Sequence, residues 1–350
     1  MESLPAEVLT AEILARCAEY APALRAVCRA WHAWAMDAVR PSRGAGLSFL
    51  AGQSCAELLA WVQEQRGEGG SRPYTTEQAN AILISAAGHG HDAVCLKARA
   101  WGATDWDEML LAAAREGHLD ICLRAREWGA RALNNMLFAA ARGGHLAICL
   151  KAHEWGARNC NEMLGAAAKG GYSGICLMAR EWGATDWDRM LRSAAAGGHE
   201  AVCLMARNWG ATDWEIALHS AANGGHEAIC RMARAEGAMD WNGMLAAAAQ
   251  GGHVPICLLA REWGATYWDG MLCAAAGWGH EAICLLAREW GATHWDGMLV
   301  EATRGGHVSL CRKARAWGAT DWTAMRVMAE HCGRTALCEL AEKWARGEDA

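Results

Sequence analysis

The 350 residues carry 39 acidic and 33 basic side chains, for a net charge of −6. That balance leaves no basic footprint for nucleic acid, and no run of 18 apolar residues exists to cross a membrane. Twenty Trp stand beside two Phe and 39 Gly beside five Pro, and few prolines among abundant Ala, Leu, Met, Arg and Glu favour helix.

The chain opens MESLPAEVLTAEIL, without the basic flank and long apolar core of a secretion signal. A soluble, cytoplasmic protein is therefore expected. Val8, Leu9 and Ile13, then Leu24, Val27, Cys28 and Trp31, form an i, i+3, i+4, i+7 stripe on short helices. Pro5 suits a helix start, where its missing N–H would be unpaired anyway. A module of this size has too little apolar surface to stand alone and needs a neighbour or a partner.

Leu4-Pro5-Ala6-Glu7-Val8-Leu9, Ile13-Leu14 and LRAVCRAW (24–31) resemble an F-box, a three-helix module. One extra residue before Ile13-Leu14 and a leucine-poor CAEYAPA segment depart from the pattern. The resemblance implies docking to a Skp1-like adaptor of a cullin ubiquitin ligase through Leu4, Pro5, Leu9, Ile13, Leu14, Val27 and Trp31. The alternative is an N-terminal helical cap for the remainder of the chain.

RPSRGAG (40–46) is a turn-rich boundary that closes the module at residues 1–40. Residues 41–76 read as linker plus one amphipathic capping helix, SCAELLAWVQEQR (54–66), and Thr75 or Thr76 is placed to cap the helix after it.

From Glu77 to Arg346 the chain is ten copies of a 27-residue frame without an insertion, and residues 347–350 form a tail. A strict short period means stacked units, each too small to close a core alone. In the copy TDWDEMLLAAAREGHLDICLRAREWGA (104–130), Thr104 and Asp107 have capping-box spacing. Gly117 stops a first helix, His118-Leu119 begins a second, and Gly129 ends it. Trp106, Met109, Leu110 and Ala113 share one face, and Ile121, Cys122, Ala125 and Trp128 another, so tryptophan is expected to build the core. The expected fold class is all-α: an F-box-like module ahead of an α-solenoid of ten helix-turn-helix repeats.

GMLCAAAGWGHEAICLLAREWGA (270–292) resembles an ankyrin repeat in its GH turn and terminal GA. A period of 27 leaves almost no room for the ankyrin β-hairpin, so a fingerless stack is implied. The combination resembles the F-box and ankyrin families of giant amoeba viruses such as pandoraviruses. It implies a host–virus interaction protein in the host cytoplasm or nucleus.

Eight histidines (His91, His118, His145, His199, His226, His253, His280, His307) and ten cysteines recur at fixed positions. Stacked equivalents stand about 8–10 Å apart, too far for zinc or for disulfides. Each His is expected to bond the backbone of its own turn, and the cysteines to be buried free thiols. Arg126-Glu127 and Arg288-Glu289 read as a solvated face. No catalytic constellation occurs, so neither an enzyme nor a cofactor or metal is expected.

Partner selection falls to the positions that differ between copies. On the first helices these lie at i, i+3, i+7 and include Leu111, Phe138, Arg189, Arg192, Ile216, His219 and Trp278; in the loops they include Arg131, Arg158, Tyr267 and His294. The last copy turns polar at Arg326, Glu330, Arg334, Glu339, Glu342 and Lys343, as a terminal cap needs. The expectation is a monomeric adaptor that recruits an unknown target protein to a Skp1–cullin ligase. The alternative is an ankyrin-like scaffold that sequesters a host protein without any ligase.

Overall fold

A computed structural model describes residues 74–348. The F-box-like segment, with its Skp1-docking residues, and the linker to residue 73 lie outside the described residues. All regular structure described is α-helix, with no strand among the described residues. In chain order the first helices are α1 (Thr76–Gly88), α2 (Asp92–Ala100), α3 (Trp106–Glu116), α4 (Leu119–Trp128), α5 (Leu133–Gly143), α6 (Leu146–Glu154), α7 (Cys160–Gly170) and α8 (Ser173–Glu181). They continue as α9 (Trp187–Gly197), α10 (Glu200–Trp209), α11 (Trp214–Gly224), α12 (Glu227–Ala235), α13 (Trp241–Gly251) and α14 (Val254–Trp263). The last six are α15 (Trp268–Trp278), α16 (Glu281–Glu289), α17 (Trp295–Gly305), α18 (Val308–Trp317), α19 (Trp322–His331) and α20 (Thr335–Ala345). Odd-numbered helices open each repeat and even-numbered ones close it, as the 27-residue frame predicts.

The chain divides into two units, one of residues 1–167 with 174–183 and one of 168–173 with 184–350. Within each unit the arrangement is a repeated, solenoid-like stack. Odd helices pack on the odd helices of adjacent repeats, α1–α3–α5 in the first unit and α9–α11–α13–α15–α17–α19 in the second. Each also packs on its own even helix, whereas the even helices α4 and α6 barely touch one another.

Local rules set the ends. Thr75 caps α1 in a capping box, its hydroxyl accepting from the Gln78 N–H while the Gln78 side chain accepts from the Thr75 N–H, both at 3.2 Å. The Thr104–Asp107 box expected for α3 does not form. Asp105 is the cap, accepting from the Glu108 N–H at 3.4 Å, because the helix starts at Trp106 and Asp107 is turned toward the next repeat. Gly117 and Gly129 end α3 and α4 at φ 91° and 114°, a left-handed conformation costly for any residue with a Cβ.

The core is thinner than expected. In α3 it consists of Met109, Leu110, Ala113 and Ala114, and in α4 of Ile121, Cys122 and Ala125, all closed to solvent. Most tryptophans stay at its margin, as half-buried Trp106 and Trp128 do, while Trp214 and Trp344 are buried. Helices that meet through alanine and cysteine approach too closely to admit an indole between them, so the rings stack along the ends of the even helices instead. The ladder cysteines from Cys95 to Cys311 are buried free thiols, and Cys338 is partly exposed.

Candidate interaction surface

Three sets of side chains that recur in most copies are consumed in joining one repeat to the next. The first is the acid or amide at the second position of each odd helix. Asp188 Oδ1 accepts from the N–H groups of Thr212 and Asp213 at 2.7 and 2.9 Å, 24 and 25 residues on. Asp107, Asn134, Glu215, Asn242, Asp269 and Asp296 hold the following loop in the same manner.

The second set is the histidine ladder. His145 Nε2–H donates to the carbonyl of Arg115 at 3.0 Å, and His199, His253 and His280 reach Lys169, Asn223 and Gln250 at the same distance. Each therefore bonds the backbone 30 residues back, in the preceding repeat, and not its own turn as expected. The ring starts at the N-cap of an even helix with its edge toward the earlier helix end, and this sets the direction.

The third set adds to the solvated-face reading of Arg126 and Arg288: Arg288 is exposed and Arg126 half-buried, and each guanidinium also lies over an indole. The guanidinium of Arg288 sits 4.8 Å from the Trp317 ring centroid, and that of Arg126 lies 6.0 Å from Trp155. Arg261 lies 4.6 Å from Trp290 and 6.0 Å from Trp268, which themselves meet edge to face at 5.0 Å. A flat cation over an indole face is favourable even where partly exposed. Copy by copy, these contacts build a ladder of alternating Arg and Trp; at one rung His153 replaces the arginine and stacks on Trp182 at 3.9 Å.

The remaining surface is where copies differ. Leu111 and Phe138 are half-buried on α3 and α5, and Arg131 is exposed in the loop between the repeats. Arg158 is partly committed, donating to the carbonyls of His153 and Ala157 at 2.8 and 2.7 Å. In the second unit Arg189 is half-buried on α9, while Arg192 and Ile216 are exposed on α9 and α11. His219 meets Asp240 at 3.0 Å, and the other oxygen of Asp240 caps α13 through the Gly243 N–H at 2.8 Å.

From α13 to α17 one register of the odd-helix face lacks side chains. Gly243, Gly270 and Gly297 occupy the register that holds Glu108, Asn135 and Arg189 in earlier copies, and Ala246, Ala247 and Ala274 extend the bare floor. A groove of about 400 Å³ lies over Gly243 and these alanines, walled by His219, Gln250, Cys273, Trp278 and Arg304. An adjoining hollow of about 370 Å³ is bordered by Cys273, His294, Val300 and Glu301. Tyr267 and His294 stand where other copies place a capping Asp, and neither makes a side-chain cap bond. Their rings lie over Gly270 and Gly297, and a Cβ on either glycine would strike them. Tyr267 is 60% and Trp278 58% exposed, at opposite ends of α15. Comparison of the copies singles out Tyr267, Trp278 and His294, yet misses that Gly243 and Gly297 open the floor between them. The signal is legible as the recurring WNGML and WDGML.

Burial holds the Cys273 thiol up at about 11, with Glu301 and Asp269 adding to the rise, so it is a poor nucleophile near neutral pH. Among the described residues no three His, Cys, Asp or Glu side chains converge as metal ligands. No helix among them is long and apolar enough to cross a membrane. No protein-family model matches the chain, and no curated protein matches its sequence.

Proposed function

We propose that this chain is a non-catalytic adaptor, in which the repeat array holds a target protein and the N-terminal segment docks a Skp1-like adaptor of a cullin ubiquitin ligase. One observation carries the target-binding half. Two large aromatic side chains, Tyr267 and Trp278, are left more than half exposed at the two ends of α15, and Trp278 walls a groove floored by Gly243 and alanines. Glycine inside a helix costs about 0.5–1 kcal/mol against alanine, and a lost N-cap about 0.5–2 kcal/mol. Three helical glycines in one register and two missing caps oppose stability, and a surface shaped for a partner accounts for them. An exposed Trp beside a bare floor, with an exposed Tyr at the other end of the same helix, suits a large apolar side chain presented by the target, in the manner of an interface hot spot. The ligase half rests on the F-box resemblance of Leu4, Pro5, Leu9, Ile13, Leu14, Val27 and Trp31. Recruitment raises the effective concentration of the target beside the ligase, and so needs no catalytic residue.

The test uses the full chain in two assays. Purified protein is expected to capture Skp1, and Leu4→Ala with Trp31→Ala to abolish capture. Tyr267→Ala with Trp278→Ala is expected to keep Skp1 and to lose the proteins marked by proximity labelling in cells. A wild-type chain that ignores Skp1 removes the ligase half, and a labelling pattern unchanged by the aromatic substitutions removes the groove.

A further inference from the structure

The Arg–Trp ladder is interrupted at one copy among its described rungs. In Thr212–Ala238 the position held by Trp209 before it and Trp263 after it is Glu236. Arg207, whose counterparts Arg234, Arg261, Arg288 and Arg315 lie 4.6–5.0 Å from indole centroids, instead pairs with Glu236 at 3.1 Å. Both side chains remain partly exposed, at 49% and 25%. Trp187 and Trp241 each keep an edge-to-face partner, Trp209 and Trp263, at 5.2 and 5.1 Å. With glutamate at 236, Trp214 has no such partner within its own copy, and it is drawn in to 6% exposure. On the other side of the layer nothing is lost: α9 and α11 pack on one another as fully as any neighbouring odd helices.

We propose that the junction between copies Thr185–Ala211 and Thr212–Ala238 is a hinge sensitive to ionic strength. It opens between α10 and α12 and pivots on the packed pair α9 and α11. An indole at a rung keeps apolar area from water whatever the salt. An exposed ion pair contributes little, and dissolved salt screens what it contributes. In a stack whose members touch only their neighbours, the weakest interface is where opening begins. The angle between the helices presenting Arg192 and Ile216 follows the hinge, so a partner touching both would hold it in one setting. This holds whatever the array binds.

Hydrogen exchange of the full chain, read by mass spectrometry at about 50 and about 500 mM salt, tests it. Amides of α10 and α12 are expected to exchange faster than those of α14 and α16, and severalfold faster again at high salt. Glu236→Trp is expected to slow α10 and α12 about tenfold, since an indole rung replaces the ion pair, and to remove the salt dependence. Glu236→Gln makes the opposite change with little alteration in size: at low salt it is expected to exchange as the wild type does at high salt. The hinge is refuted by wild-type α10 and α12 that exchange no faster than α14 and α16. It is equally refuted if Glu236→Gln leaves low-salt exchange unchanged, whether or not the Glu236→Trp variant folds.

Discussion

A Cβ on Gly143, the last residue of α5, would strike the carbonyl oxygen of Arg115 and the ring of His145. A Cβ on Gly174, near the start of α8, meets nothing within 4 Å. Alanine ordinarily favours a helix over glycine by about 0.5–1 kcal/mol, so the two positions part company on sterics alone. Gly174→Ala is expected to raise stability by up to about 1 kcal/mol. Gly143→Ala is expected to lower it by about 1 kcal/mol, because the Arg115 carbonyl and the His145 ring must shift to admit a Cβ, as their counterparts do beside Glu116 and Trp278 at this register. Urea midpoints of the two variants decide the point, and a stabilising Gly143→Ala would mean that His145 does not brace the preceding repeat there.

At the scale of the element, the punctuation of each repeat is readable because it is local. Gly117 and Gly129 act on the helix they end, and His118 marks the start of the next. The partners of the polar side chains are not readable in this way. Asp107, His145 and Arg126 all act on the adjoining repeat, whereas spacing rules describe contacts within a few residues. Those rules assign Asp107 to its own helix end, His145 to its own turn and Arg126 to water. They misplace the tryptophans for a related reason: size and apolarity point inward, but a core spaced by Ala113 and Cys122 has no room for an indole. The loop-holding acid gives a sharp test. Asn134 and Asn242 perform the same task as Asp269, so Asp269→Asn is expected to be nearly neutral. Asp269→Ala strands the N–H groups of Thr293 and His294 and is expected to cost about 1–3 kcal/mol. Denaturant unfolding of the two variants separates these outcomes, and equal losses would show that the carboxylate charge matters more than the two bonds.

For the molecule as a whole, the period, the helix count per repeat and the variable face are legible in the sequence, since each is a property of comparing copies. The groove is not, because it is made by what three adjacent copies lack. A cumulative property also emerges from the stack. Burial pushes the thiols of Cys95, Cys122, Cys149, Cys176, Cys203, Cys230, Cys257 and Cys284 from 9.0 up to about 12. Between those values the folded chain keeps protons that the unfolded chain releases, so stability must fall as pH rises. The contribution is complete below about pH 9 and is lost as pH climbs toward about 12. Melting temperatures between pH 7 and 11 are expected to hold until about pH 9 and then decline steeply. Replacing Cys122 and Cys149 by Ala should lower the neutral-pH value while flattening the decline. A decline with the same slope in that variant would assign it to other groups.

The bracing of each repeat by the next has a consequence for how such a chain changes length. Asn242 holds the backbone at Thr266 and Tyr267, Asp269 holds it at Thr293 and His294, and His280 braces Gln250. Plug and socket are of the same kind in most copies. Excising residues 266–292 would bring Asn242 to Thr293 and His307 to Gln250, with every join remade. Removing a single residue would put out of step only the joins that span it, in one repeat and its neighbour. Genes of this kind can therefore lengthen or shorten by unequal recombination in whole 27-residue steps and still encode matched joins, while a single-codon slip mismatches the joins around it. Such an array can exchange, duplicate and discard recognition surface at a rate that a protein with one indivisible core cannot match.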